Sequence, residues 1–78
     1  MRTKKTATMP TLVCDLQDFF LRRHNAPVSI DVMHLGECYM VTVGKYEGAQ
    51  TASLYRSIRD HIAGKYDLSA DQIYVRFM

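Results

Sequence analysis

The hydrophobic period of this chain changes at Ala26-Pro27, and that change limits what it can fold into. Before it, Leu12, Leu16, Phe19, Phe20 and Arg23 recur at the spacing of one helical face, while Asp15, Asp18 and Arg22 lie off it. The pattern predicts an amphipathic helix from about Thr11 to His24. Thr11 is an acceptable N-cap, and Asn25 followed by Ala26-Pro27 is the stop, because the residue before a proline, here Ala26, avoids helical angles. A strand over residues 11–16, with Leu12, Cys14 and Leu16 on one face, is the competing reading.

After Pro27 the period is two. Val28, Ile30 and Val32 alternate with Ser29, Asp31 and Met33, and β-branched residues dominate, which predicts a strand. Leu35-Gly36 supplies a turn, and Cys38 to Val43 returns as a second strand with Tyr39, Val41 and Val43 on one side and Met40 and Thr42 on the other. Past a loop from Gly44 to Gly48, Leu54, Tyr55, Ile58 and Ile62 again form a helical face, predicting a helix from about Thr51 to Lys65. Ser69 with Asp71 and Gln72 reads as a capped turn into a last strand, where Ile73, Val75 and Phe77 alternate with Tyr74, Arg76 and Met78. The expected fold is α+β, in the order α-β-β-α-β: a two-layer sandwich with both helices on one face of a three-stranded sheet. The first ten residues read as a flexible basic arm, and residues 11–78 as one domain.

A chain of 78 residues buries only about 60% of its unfolded surface. Cores of this size are often reinforced by a disulfide, a metal or a second subunit. Cys14 and Cys38 show no CxxC spacing, and His24, His34 and His61 are far apart, so neither a disulfide nor a metal site is indicated and no cofactor is expected. Oligomerisation, as a dimer or trimer, is left as the expected reinforcement. The net charge is +2, with Arg2, Lys4 and Lys5 grouped in the arm, which argues against a nucleic-acid footprint. No apolar run reaches the roughly 20 residues that span a bilayer, and no signal sequence is evident, so a cytoplasmic protein without a membrane partner is expected.

The run GKYEGAQTASLYRSIRDHIAGKYDLSADQIYVRF, from Gly44 to Phe77, is similar without gaps to the C-terminal half of the macrophage migration inhibitory factor family of tautomerases. Gly44-Lys45, Gly48-Ala49-Gln50, Ser53, Ala63, Ser69, Asp71 and Tyr74 carry the resemblance. It implies a repeated β-α-β unit, trimers, and an N-terminal proline whose secondary amine moves a proton between the carbon and oxygen of a keto–enol pair. Pro10, within Met9-Pro10-Thr11-Leu12, is the residue that matches that proline. Eight residues precede Met9, so Pro10 has an amide nitrogen unless the chain is cleaved or initiated there. Val43 matches the apolar pocket wall and Tyr74 the pocket phenol, while Arg76 stands near the family's asparagine and suits a carboxylate.

Three functional readings follow. The first is a non-enzymatic interaction domain that binds itself or another protein through its open sheet face or edge, as do small phage and mobile-element inhibitors of host enzymes. Tyr39, Val43, Lys45, Tyr46, Tyr74 and Arg76 are its candidate binding residues, with Met33, Met40 and Met78 completing an adaptable apolar surface. The second is a reduced tautomerase using Pro10 and Tyr74. The third, drawn from the element order shared with KH-like modules, is a nucleic-acid binder using Lys45, Arg22, Arg23 and the arm, although no GxxG loop is present.

Overall fold

The computed structural model describes residues 4–78. Helix α1 spans Met9–His24, strands β1 and β2 span Ser29–Leu35 and Cys38–Gly44, helix α2 spans Ala52–Lys65, and strand β3 spans Ile73–Phe77 after a 3₁₀ turn at Ala70–Gln72. The expected order α-β-β-α-β and two-layer packing are therefore present, and residues 11–16 are helical. Among the described residues no helix is long and apolar enough to cross a membrane.

Helix α1 begins two residues before the expected start because Thr8, not Thr11, is its N-cap. The Thr8 hydroxyl oxygen accepts from the Thr11 N–H at 3.3 Å, and the Thr8 N–H donates to Thr11 Oγ1 at 3.1 Å. This closes a reciprocal capping box. Pro10 fits the first turn, where a missing N–H costs no helical hydrogen bond. Asn25 ends the helix with a left-handed φ of 50°, a conformation asparagine tolerates. Helix α2, expected from about Thr51, starts at Ala52 with Thr51 as its N-cap, which accepts from the Leu54 N–H at 3.2 Å.

The arm expected over residues 1–10 is not free where it is described: residues 5 and 7 are tied to the domain and residues 9 and 10 begin α1. The Lys5 N–H donates to the Lys65 carbonyl at 3.1 Å, and the Asp67 N–H donates to the Lys5 carbonyl at 2.9 Å. Ala7 is buried, its N–H donates to Asp67 Oδ1 at 3.2 Å, and its carbonyl accepts from the Tyr39 hydroxyl at 3.3 Å. Backbone pairing with the end of α2 and the residues that follow it outweighs the polar composition that suggested a free tail. Residues 1–3 lie outside the described part.

The sheet order is β1-β2-β3. β1 and β2 are an antiparallel hairpin turned at Gly36, whose φ of 63° suits glycine, and β2 and β3 are parallel, joined by α2 in one β-α-β unit. Leu12, Leu16, Phe19 and Phe20 of α1 and Leu54, Ile58 and Ile62 of α2 pack on Ile30, Val32, Val41, Val43 and Ile73. Burial of each such side chain contributes roughly 1.5–3 kcal/mol. Both helices thus occupy one face of the sheet.

Candidate interaction surface

Strand parity decides what the other face displays. Cross-strand partners share a face, so the register places Leu35 beside Cys38, the row Met33–Met40–Tyr74 next to it, and then Asp31–Thr42–Arg76. Four of the large exposed apolar side chains are here or continue from here: Met33 at 46% exposure, Leu35 at 48%, Tyr74 at 55% and Met78 at 81%. Met40 lies half-buried between Met33 and Tyr74. Met78 extends the ladder, its N–H donating to the Val43 carbonyl at 2.9 Å.

The polar row is partly tied down. Arg76 Nε donates to Thr42 Oγ1 at 3.0 Å, and Thr42 is buried beneath it. Asp31 and Arg76 are the formally charged side chains that the three strands place on this face, one on each edge strand, and neither is in an ion pair among the described residues. The face is therefore an apolar strip beside a row that is negative at one end and positive at the other.

The residues predicted from sequence separate into two groups. Tyr74 and Arg76 are exposed on this face, as their alternation indicated. Tyr39 and Val43 are not surface residues: both are buried under the helices, and Tyr39 stacks on His34 with ring centroids 4.3 Å apart. Their parity within β2 puts them on the inner face, so they cannot meet a partner on the outer one. Tyr46 packs among Phe20, His24 and Phe77 at 5.3, 6.1 and 5.6 Å between centroids, also on the helix side. Lys45, with φ of 67°, lines an open depression with His24 and Tyr46 there. Pro10 is exposed in the first turn of α1, in the helix layer, while Tyr74 lies across the sheet from that layer. The structure does not bring the two together.

A second cluster was not visible in the sequence. Asp15 of α1 lies off the apolar face by spacing, yet its side chain is 7% exposed and pairs with His61 of α2. It accepts from the Tyr66 hydroxyl at 2.7 Å and from Lys65 Nζ at 2.8 Å through Oδ2, and pairs with His61 Nε2 at 2.8 Å through Oδ1. Burial by itself would raise the Asp15 pKa, but hydrogen bonds from His61, Lys65 and Tyr66 outweigh it and hold the carboxyl at about 2. Burial, then the hydrogen bond and charge of Asp15, push the Tyr66 phenol up to about 12. Asp15 and His61 flank the apolar stripes of their helices, a position that indicates pairing only once the helices are known to lie side by side. The cluster joins α1 to α2 and holds the helix layer together.

Cys14 is exposed, Cys38 is half-buried, and both are free thiols. Among the described residues no three His, Cys, Asp or Glu side chains are grouped to hold a metal ion. No family model, curated protein or solved structure matches this chain.

Proposed function

We propose that this protein is a non-enzymatic interaction domain whose binding surface is the outer face of its sheet. The observation that supports the reading is the apolar strip of Met33, Leu35, Met40 and Tyr74 on the face opposite both helices, with the exposed Met78 beyond the Asp31–Thr42–Arg76 row. Removing such side chains from water is worth about 25 cal/mol per Å², and methionine and tyrosine adapt to a partner's shape at small cost in specificity. Contiguous exposed apolar patches on small proteins mark sites of association. The buried Asp15 cluster makes the helix layer a rigid support for that face, because its carboxylate is satisfied by groups from α2 and the residue after it.

The test is site-specific photo-crosslinking in the producing cell, with a benzophenone amino acid at Met33 and, as control, at Arg59 on the helix layer. Covalent adducts are expected from position 33 and not from position 59. Absence of any adduct from position 33, with the variant folded, overturns the reading.

A further inference from the structure

Resting on that reading, we infer that the partner of this face is a second copy of the same chain, stacked sheet to sheet about a two-fold axis that runs parallel to the strands over β2. The order of side chains across the sheet favours this pairing. A two-fold in that direction lays β1 of one copy over β3 of the other and keeps each row over the same row. Asp31 then faces the partner's Arg76 and Arg76 faces the partner's Asp31, two ion pairs from one self-complementary row. In the neighbouring row Met33 faces the partner's Tyr74, and Met40 meets the partner's Met40 on the axis.

Other arrangements lose this match. A two-fold across the strands stacks β1 on β1 and β3 on β3, so no Asp31 reaches an Arg76. A two-fold normal to the sheet joins edge strands and leaves the apolar strip in water. The charge order therefore selects one geometry of stacking.

Size sets the strength. Three strands about 4.8 Å apart and five to seven residues long, at about 3.3 Å per residue, cover roughly 15 by 20 Å. That is below the roughly 800 Å² per partner of a standard interface, and the dimer should be reversible, with a dissociation constant on the order of micromolar.

The experiment is sedimentation equilibrium of the full chain, with charge reversal as its core. The natural protein is expected to move from the 9.0 kDa monomer to twice that mass as concentration rises. Asp31→Arg and Arg76→Asp each turn both ion pairs into like-charge contacts, and each is expected to weaken the dimer at least tenfold. In an equimolar mixture of the two variants, the arginine introduced at position 31 meets the aspartate introduced at position 76, and the native Arg76 of one chain meets the native Asp31 of the other. The mixture should therefore regain the dimer mass that neither variant reaches alone.

Recovery of the mass only on mixing supports the inference. A natural protein that stays monomeric to about 1 mM overturns it, as does a folded pair of variants that fails to associate on mixing, or single variants that dimerise like the natural chain. Should Arg76→Asp not fold, the two-fold is read from Cys38, which lies on β2 near the axis. Sheets about 10 Å apart are too far for a disulfide but within reach of a short bismaleimide. Cys14→Ser protein should then be cross-linked to a dimer through Cys38, and its failure to react in this way overturns the geometry. Photo-adducts from position 33 that hold a different protein and never a second copy would overturn the self-complementary arrangement while leaving the interaction reading intact.

Discussion

Replacing Asp15 by asparagine removes one negative charge from between two helices and changes almost nothing in shape. The carboxyl titrates at about 2 in the fold against an ordinary 3.8, and its side chain is 7% exposed, so solvent screening takes little away. A tenfold change in proton affinity is worth about 1.4 kcal/mol, which makes the ionised carboxylate worth on the order of 2 kcal/mol to the fold at neutral pH. Because the folded pKa is depressed, that contribution is complete above 3.8 and is lost as pH falls through about 2. At pH 3 about half should remain. The measurement is urea unfolding of the natural protein and Asp15→Asn at pH 7, 5 and 3, followed by circular dichroism. The variant should be less stable by about 2 kcal/mol at pH 7 and 5 and by about 1 kcal/mol at pH 3, converging on the natural protein below that. A difference under about 0.5 kcal/mol at pH 7, or one that does not shrink by pH 3, would refute the assignment of Asp15 as the ionised centre of the cluster.

Other outcomes follow from single contacts. Deleting residues 1–7 should cost about 1–2 kcal/mol in the same urea assay, because it removes the Lys5 pairing with Lys65 and Asp67 and the burial of Ala7, whereas loss of a free arm would cost nothing. Thr8→Ala should lower stability by about 1 kcal/mol through loss of the α1 cap, while Thr11→Ala, which keeps the cap oxygen, should cost less. Lys45→Gly should be neutral or stabilising by up to about 1 kcal/mol, since φ of 67° strains any residue with a Cβ; a loss of stability would mean that the lysine side chain holds its loop. Ile58→Ala, at a fully buried position, should cost about 2–5 kcal/mol and be visible as a fall in melting temperature.

The same physics explains which features could be read from the chain and which could not. Element type was legible because hydrophobic period is a local property: the helical spacing from Leu12 to Phe20 and the alternation from Val28 to Val43 each have one backbone that buries all their apolar side chains together. The capped turn at Ser69 was legible for the same reason, since a cap concerns three or four neighbouring residues. Tyr74 and Arg76 were placed correctly on the solvent side of β3 by alternation alone. Tyr39, a candidate surface residue by its type, alternates with Val41 and Val43, and the register pairs it with His34 and Ile73 on the helix side.

What composition suggested about residues 4–8 failed because their stabilisation comes from residues about 60 positions away, through Lys65 and Asp67. Asp15 failed likewise: a carboxylate on the flank of a helix is a solvated charge until a second helix brings His61, Lys65 and Tyr66 against it. The row Asp31–Thr42–Arg76 exists only through strand register, which no local pattern specifies across a crossover of this length. The sequence by itself therefore determined the elements, their order and the inner and outer side of each strand, because these follow from burial by nearest neighbours. The docking of the first segment, the polar joint between the helices and the charge order across the open face were decided by tertiary structure, because each is a contact between groups that only the completed fold makes adjacent.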